Sequence, residues 1–328
     1  MEINFNGPIF IIGMPRSGTK LLRELLNGHS KIQIPSGETE FLPYWVANWC
    51  SYGDLSNFQT FSKFYELSLT LPYFIYTREQ NALIDCQQWY NSCQNFSLAG
   101  VFKALMRHDA GIRYKSSKIW GDKSPSYINH VALLKSIYPQ ARFIHIIRDA
   151  RDYCLSMQKA WGKHPIRAAQ RWVEGLEKAD RDTAKFKDDY LEICYEDILS
   201  CPEAILSKCC NLLEIDFERD MLQLPESTEN IGSAKGYNFV KQDNKKKYIQ
   251  QMKPKLQQRI EKIAGQKLSN CGYEVEFVGP PERVSTLEMN LYKVIDGYNL
   301  VQSEFAKRGF YESVYINWKR FNISGNRH

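Results

Sequence analysis

Apolar residues in the first two thirds of the chain form short continuous runs that alternate with segments of helical spacing. A continuous run is typical of a strand buried on both faces, and apolar residues three and four apart are typical of one face of a helix. The predicted strands are residues 8–13, 31–35, 142–148 and 190–195. The predicted helices are residues 18–28, 126–138, 150–161, 165–187 and 202–213. This alternation predicts an α/β fold in which helices cover both faces of a doubly wound parallel sheet.

Residues 41–118 interrupt this alternation with an aromatic-rich stretch that has no strand signal of its own. The stretch includes Trp45, Trp49, Tyr52, Tyr73 and Trp89. We interpret it as a helical insertion in which each single aromatic residue is better explained as core than as a ligand contact. Its position soon after the first strand and helix also suits the wall of a ligand site.

A turn signal at residues 279–281, Gly-Pro-Pro, separates a main domain of residues 1–278 from a C-terminal appendage of residues 279–328. Apolar positions in the appendage are spaced alternately by three and four residues, as in a coiled-coil seam. They are Val284, Leu287, Leu291, Val294, Tyr298, Val301 and Phe305. This helix either docks on the main domain or pairs with a second copy, and we expect docking because Gly297 interrupts the helix. Residues 314–318 alternate like a short strand.

Composition narrows the class of protein. A hydrophobic content of 43% supports a sizeable core, and the net charge of +6 is mild for 328 residues. No basic stripe with interleaved aromatics is present outside the lysines of residues 245–247, which argues against nucleic-acid binding. No apolar run approaches the ~18 residues of a membrane span. With no cationic leader before Ile9, we expect a cytoplasmic protein, in which the nine cysteines, scattered without metal-like pairs, are reduced thiols.

The strongest chemical signal is residues 8–23, PIFIIGMPRSGTKLLR, in which an apolar strand leads through a glycine-flanked loop directly into a helix. Such a loop directs backbone N–H groups and the positive end of the helix at an anion. The nucleotide-triphosphatase pattern requires Gly-Lys-Ser/Thr, whose hydroxyl binds Mg²⁺. Here Gly18 is followed by Thr19, Lys20 and Leu21, and Arg16 lies within the loop. The loop therefore predicts a P-loop-type fold that binds phosphate without a metal.

A second basic signal follows the predicted strand 142–148. Arg148 and Arg151 come at its carboxyl end, before a helix that contains Ser156. In open α/β sheets ligands bind at the carboxyl ends of the strands. Salt bridges or helix capping explain such Arg-Asp pairs equally well in isolation. Beside the first loop, however, two anion sites on neighbouring strand ends suit a ligand with two separate phosphate groups.

Two further segments carry candidate catalytic side chains. Lys123 lies in residues 120–125, Trp-Gly-Asp-Lys-Ser-Pro, which we predict to be a short loop before a helix. Glu38 and Glu40 follow the strand 31–35, and either is placed to act as a general base. The simpler explanation of the first segment is an exposed lysine beside a capped helix. The simpler explanation of the second segment is a glutamate that caps the first turn of a helix.

Together these motifs resemble the sulfotransferases that use 3′-phosphoadenosine 5′-phosphosulfate (PAPS), especially the tyrosylprotein and large bacterial branches. The resemblance covers roughly residues 8–275. Residues 15–19, Pro-Arg-Ser-Gly-Thr, look like the 5′-phosphosulfate loop of that family, and Arg148 with Ser156 looks like its 3′-phosphate site. Gly37-Glu38-Thr39 is similar to the segment that supplies the base in the tyrosylprotein branch. Lys123 and Pro125 match a loop of that branch whose lysine assists catalysis.

The resemblance implies an enzyme that moves a sulfuryl group from PAPS to an acceptor hydroxyl and releases 3′-phosphoadenosine 5′-phosphate (PAP), without a metal. It implies Glu38 as the general base and Arg16 and Lys123 as catalytic cations. The implied residues that bind the nucleotide are Arg16, Ser17, Gly18, Thr19, Lys20, Leu21, Arg148, Ser156 and Tyr195. The lysine-rich segment 232–247 is a candidate cover for the 3′-phosphate, although a solvated charge run explains it more simply.

Lys20 replaces the second threonine usual in the family's loop. The acceptor of the tyrosylprotein branch is not transferred to this chain, and a small molecule, glycan or lipid is favoured over a protein as the acceptor. The C-terminal seam is compatible with a homodimer.

Two other functions stay open. One is a metal-dependent P-loop kinase of a small molecule, against which Leu21 argues because it follows Lys20 where a hydroxyl is required. The other is a non-catalytic nucleotide-binding assembly protein.

Overall fold

The computed structural model describes residues 5–113, 116–224, 242–277 and 279–308. Within these ranges the strands are β1 (Ile9–Gly13), β2 (Ile32–Gln33), β3 (Ile119–Lys123), β4 (Arg142–Ile147) and β5 (Tyr190–Cys194). They form one parallel sheet in the order β2-β3-β1-β4-β5. The chain leaves β1 towards one side of the sheet and later continues on the other side with β4. This reversal creates a crevice beyond the carboxyl ends of β1 and β4, where ligands bind in such sheets.

Helices surround the sheet. Before β3 they are α1 (Thr19–Asn27), α2 (Leu42–Asn48), α3 (Phe58–Ser68), α4 (Pro72–Glu79), α5 (Cys86–Ser92) and α6 (Leu98–Asp109). After β3 they are α7 (Val131–Ile137), α8 (Ala150–Trp161), α9 (Pro165–Thr183), α10 (Tyr195–Ser200), α11 (Pro202–Leu212), α12 (Tyr248–Gln251), α13 (Pro254–Asn270) and α14 (Thr286–Arg308). Short 3₁₀ segments are Trp49–Tyr52, Pro125–Asn129, Lys187–Asp189 and Arg219–Leu222. Among the described helices none is long and apolar enough to cross a lipid bilayer.

Two hydrophobic cores lie on opposite faces of the sheet. Side chains of a strand alternate between faces, so Ile9 and Ile11 of β1 join one core and Phe10 and Ile12 join the other. The first core contains α1, α10 and α11, and the second contains the helices of residues 41–118 together with α8, α9 and α13. Both faces of the sheet are thus covered, which confirms the predicted doubly wound α/β fold.

Strand β3 corrects the prediction of a loop at residues 120–125. Trp120 to Lys123 pair with β1 and β2, and all five residues of β3 are buried. Gly121, Asp122 and Lys123 have low strand propensity, but the pairing of all three with β1 and their burial outweigh it. The predicted helix 126–138 is also divided into the 3₁₀ segment and α7.

Residues 41–113 fold into the helices α2 to α6, and their aromatic side chains pack against one another. Trp45 and Trp89 are fully buried and stack with ring centres 6.0 Å apart. Tyr73 is also buried, whereas Trp49 and Tyr52 are half-buried at the margin of the same cluster. Most of the aromatic content of this segment therefore builds core.

The C-terminal helix α14 runs without interruption through Gly297, so the expected break there is wrong. It contacts the main domain through Asp296, whose carboxylate accepts hydrogen bonds from the His164 N–H and the Arg167 side chain. Of the predicted seam, Val284 is buried in the core of the main domain, whereas the side chains of Leu287, Leu291, Val294 and Tyr298 are exposed. The side chains of Val301 and Phe305, and residues 314–318, lie outside the described part of the chain.

Candidate functional site

The loop between β1 and α1 has the conformation of an anion cradle. Arg16 and Gly18 adopt left-handed backbone angles, with φ of 68° and 96°. A left-handed non-glycine residue is unusual and is found preferentially at functional sites. The loop ends at the first turn of α1, where Thr19 and Leu21 are buried and Lys20 is half-buried. The unpaired N–H groups of this turn and the helix dipole favour an anion at this position.

Tyr195 supports the loop from the first turn of α10, directly after β5. A Cβ atom on Gly18 would lie 2.4 Å from a ring carbon of Tyr195, so only glycine fits against this ring. The guanidinium carbon of Arg148 lies 4.8 Å from the centre of the same ring, as in a cation–π contact. The Tyr195 hydroxyl accepts a hydrogen bond of 2.7 Å from the Asn244 side chain. Sequence reasoning did not single out Asn244, which lies in a lysine-rich stretch far along the chain.

Arg148 connects the two predicted anion sites. It follows β4, is only 6% exposed, and donates a hydrogen bond of 3.0 Å to the backbone carbonyl of Arg16. Arg16 in turn places its Nε 3.4 Å from the hydroxyl of Ser156 in α8. The structure therefore brings the first loop, Arg148 and Ser156 into one region at the carboxyl end of the sheet.

Arg151 has a different environment from Arg148. Its guanidinium pairs with the carboxylates of Asp149 and Glu261, both at 2.6 Å, and covers the ring of Tyr248. All three charged groups are buried. Arg151 is thus engaged in joining α8 to α13, which corresponds to the salt-bridge explanation of the Arg-Asp pair.

Glu38 and Lys123 form an ion pair on the neighbouring strands. Lys123 is the last residue of β3, and Glu38 lies in the loop after β2. The lysine side chain is 4% exposed, whereas the glutamate side chain is 44% exposed. The pair thus presents a solvent-facing carboxylate held by a buried ammonium group. Glu40, the other candidate base, has a left-handed backbone, and its N–H lies 3.4 Å from the Ser124 hydroxyl.

A buried polar network supports this ion pair. Ser124 accepts a hydrogen bond from the Thr39 N–H and donates one to Asp122, both at 2.9 Å. Thr39 also donates to Asp122 and contacts the hydroxyl of Tyr127. Burial raises the pKa of the Asp122 carboxyl to about 7. The network fixes Thr39, which follows Glu38, and the residues on either side of Lys123. Sequence reasoning missed it, although Asp122 and Ser124 flank Lys123.

Arg23 is a further residue that the sequence analysis missed. It lies on α1, is 3% exposed, and donates a hydrogen bond of 2.8 Å to the carbonyl of Ser36. This bond joins the helix after the phosphate loop to the segment that carries Glu38. An arginine on an otherwise apolar helix face was the available signal.

Several buried polar atoms of the site have no hydrogen-bond partner within the described part of the chain. Two of them are hydrogen-bond donors, the hydroxyl of Ser17 and the Nε of Arg148. A third is a carboxylate oxygen of Asp152. Two unpaired donors beside a helix N-terminus fit a ligand with phosphate oxygens. The described residues contain no group of three or more His, Cys, Asp or Glu side chains arranged to hold a metal ion. Residues 225–241, which include most of the predicted cover at 232–247, lie outside the described ranges.

Comparison with known proteins identifies the family. A model of the sulfotransferase family matches residues 8–219. An uncharacterized protein of Aquifex aeolicus (strain VF5) is 24% identical over 69% of this chain and 28% of its own length. Protein-tyrosine sulfotransferase 1 of Danio rerio is 23% identical over 71% of this chain and 59% of its own length. The chain thus spans less than two thirds of the length of these two relatives.

A solved structure supports the assignment of the fold. The sulfotransferase domain from the curacin biosynthetic pathway superposes with a TM-score of 0.55 and 23% identity, over 83% of this chain and 99% of that domain. The family predicted from the motifs is therefore confirmed, and the family match covers every element that carries them. Because the matched residues make up more than half of the 328, this chain belongs to the sulfotransferase family.

Proposed function

We propose that this protein transfers the sulfuryl group of PAPS to the hydroxyl of an acceptor by in-line displacement. The observation that carries the proposal is the convergence of the phosphate loop, Arg148 with Ser156, and the Glu38–Lys123 pair at one end of the sheet. The donor has a phosphosulfate and a 3′-phosphate, which correspond to two anion sites. The buried, unpaired donors of Ser17 and Arg148 support a nucleotide with phosphate oxygens at this place.

Each side chain has a definite role in the proposed reaction. Glu38 accepts the proton of the acceptor hydroxyl while its oxygen forms a bond to sulfur, and the bond from sulfur to the 5′-phosphate oxygen breaks. Arg16, Lys20 and Lys123 stabilise the negative charge that develops on the bridging oxygen and the transferring group. Arg148 and Ser156 hold the 3′-phosphate, and the ring of Tyr195 supports the loop at Gly18. The proposed reaction releases PAP and uses no metal.

Side-chain chemistry favours this reaction over a kinase. A P-loop kinase needs a hydroxyl after the loop lysine to bind Mg²⁺, but Leu21 occupies that position and is buried in the core. Residue 148, directly after β4, is an arginine rather than an acid. We therefore expect PAP to bind more tightly than Mg-ATP in titration calorimetry. The reverse order of affinities would contradict the proposal.

The acceptor proposed here is a small molecule, glycan or lipid rather than a protein. The aromatic helices of residues 41–113 adjoin the catalytic pair, because Tyr73 packs against Gly37 beside Glu38. A hydroxyl carried on an apolar group suits such a wall.

We also propose a cytoplasmic location, since the nine cysteines are all free thiols. The partner that we propose is a second copy of the chain, which forms a homodimer through the exposed side of α14.

Replacement of Glu38 tests the proposed base. We expect Glu38→Gln to lower turnover by a factor of about 10²–10⁴, because the amide cannot take the proton, and to leave PAP affinity nearly unchanged. Turnover is measured by transfer of labelled sulfate from PAPS to a panel of phenols, sugars and sterols. Glu40→Gln is the matched control and should retain activity. Loss of turnover in Glu40→Gln with an active Glu38→Gln enzyme would move the base to Glu40.

A further inference from the structure

A cavity lies at the opposite end of the sheet from the proposed donor site. Its volume is about 970 Å³, and its lining includes residues 6–8, which lead into β1, and residues 139–140, which lead into β4. The donor-site residues follow these same strands instead of preceding them. Since β1 has five residues, roughly 17 Å of strand separates the two ends. The cavity is thus distinct from the proposed donor site.

The charges that line this cavity are positive. Lys103 and Arg107 come from one face of α6, and His108 and Arg113 follow. None of the described lining residues is acidic. The guanidinium of Arg107 donates hydrogen bonds to the backbone carbonyls of residues 113, 116 and 118. Since these acceptors are neutral, the bonds do not neutralise the positive charge of Arg107. His108 differs from the others, because it pairs with Asp109.

Lys103 is the cation best placed to meet a ligand. It is half-buried, and the described residues include no hydrogen-bond or ion-pair partner for its ammonium group. Burial, and to a lesser extent the neighbouring Arg107, lower the pKa of Lys103. A half-buried ammonium beside another cation is destabilised until an anion approaches it.

Trp120 adds an independent sign of a missing partner. The side chain lines the cavity and is 1% exposed, and its indole N–H has no acceptor among the described residues. A Cβ atom on Gly7 would lie 3.0 Å from the indole carbon next to this nitrogen, and Gly7 also lines the cavity. Buried N–H groups almost always find an acceptor. The indole N–H is therefore an unsatisfied, buried donor in a residue of the cavity wall.

The rest of the wall consists of apolar groups and of uncharged polar side chains such as Gln88, Gln94 and Asn95. Ile112, Ile137 and Tyr138 line the cavity together with Ala99 and Ala104. A volume of this size accommodates a ligand of several rings, and mixed apolar and cationic walls are typical of sites for small molecules. The lining thus combines apolar surface with positive charge and one unsatisfied donor.

We propose that this cavity binds an organic anion that combines an aromatic or aliphatic body with a sulfonate, sulfate or carboxylate group. The anionic group is recognised by Lys103 and the Trp120 N–H, and the body packs on the apolar wall. The proposal does not depend on the reaction at the other end of the sheet. It assigns a ligand class to a cavity that the proposed transfer reaction does not use.

Titration calorimetry of the full chain with 2-naphthalenesulfonate tests the proposal. We expect one saturable site, and we expect Lys103→Gln to weaken binding about tenfold and Trp120→Phe about fivefold. Ala99→Phe fills the cavity and should abolish binding. Lys178→Gln, which removes a half-buried lysine of α9 outside the cavity, is the matched control and should bind within twofold of the wild type.

The same titration in the presence of saturating PAP, and with Arg16→Ala, separates this cavity from the proposed donor site. Binding that persists under both conditions supports the proposal. Wild-type affinity in both Lys103→Gln and Ala99→Phe, or binding lost on Arg16→Ala, would overturn it. Circular dichroism establishes whether each variant is folded. If Trp120→Phe or Ala99→Phe does not fold, Lys103→Gln still tests the proposal.

Discussion

Burial assigns different tasks to the charged side chains around the proposed catalytic pair. Glu38 is open to solvent, Lys123 is almost fully buried beside it, and Asp122 is fully buried behind both. A buried carboxylate is disfavoured unless it is neutral or well paired, and hydrogen bonds from Thr39 and Ser124 offset part of this cost at Asp122. The exposed carboxylate is thus accessible for the proposed role as base, and the buried one holds the local structure.

The raised pKa of Asp122 makes the stability of the protein depend on pH. The pKa is about 7 in the folded chain and 3.8 without burial, so the folded state binds the proton more tightly than the unfolded state. Stability should therefore fall as pH rises from about 4 to about 7, by about 1.4 kcal/mol per pH unit from this group. Below pH 4 both states are protonated, and above pH 7 the loss is complete.

Urea unfolding of the wild type and Asp122→Asn at pH 5, 6 and 7 measures this effect. The asparagine variant should lose the extra slope, because its side chain does not titrate, whatever its stability at one pH. Asp188→Asn removes an exposed carboxyl group and should keep the slope of the wild type. Equal slopes for the wild type and Asp122→Asn would show that Asp122 is ionised throughout.

Arg148 contacts the loop and is also proposed to bind the 3′-phosphate, and these two roles are separable. We expect Arg148→Ala to weaken PAP binding by about 1.5–3 kcal/mol, typical of a lost charged hydrogen bond. Binding of AMP, which lacks the 3′-phosphate, should change little. Arg171→Ala, which removes an exposed arginine of α9, is the control for net charge. An equal loss for PAP and AMP would mean that Arg148 acts only by holding the Arg16 carbonyl.

At the scale of elements, the unit of β1, the loop and α1 was predictable because its signals are local. The continuous apolar run defines the buried strand, and the loop glycines and helical leucine spacing follow within sixteen residues. Strand β3 was not predictable in this way. Gly121 and Asp122 are poor strand formers, and only their pairing with β1, which is distant in sequence, makes them part of a strand.

Gly18→Ala tests how closely the loop depends on its support by Tyr195. A left-handed backbone costs alanine about 1–2 kcal/mol, and the new methyl group would also overlap the Tyr195 ring. We expect loss of stability together with at least a tenfold loss of PAP affinity. Gly111→Ala is the matched control, because Gly111 is also left-handed but has no atom within 4 Å of its Cβ position. Its PAP affinity should stay at the wild-type value, and a similar value for Gly18→Ala would contradict the proposed fit.

At the scale of the whole molecule, α14 contacts the main domain through Met289, Tyr292 and Asp296 and leaves an apolar side exposed. Leu287, Leu291, Val294 and Tyr298 are 82%, 58%, 70% and 64% exposed. Their spacing of four, three and four residues is that of a seam which packs against another helix. This pattern supports the proposed homodimer, in which the same side of α14 in a second copy covers these residues.

Light scattering of the full chain measures the dimer. We expect the wild type to have twice the mass of one chain at micromolar concentration and Leu291→Glu to have the mass of one chain, because a charge in the seam cannot be buried unpaired. Lys293→Glu adds the same side chain on another side of the helix and should stay dimeric. A wild-type mass of one chain at every concentration would exclude this dimer.

The sequence alone determined the features that are written in consecutive residues. The parallel α/β fold, the phosphate loop, the basic residue after β4 and the family all follow from local apolar runs and short motifs. Tertiary structure decided what depends on distant contacts. It separated Arg148 from Arg151 through the pairing of Arg151 with Glu261, and it paired Glu38 with Lys123 through strand order. It also turned the seam of α14 outward, because packing selects one side of a helix and sequence periodicity only shows that a side exists.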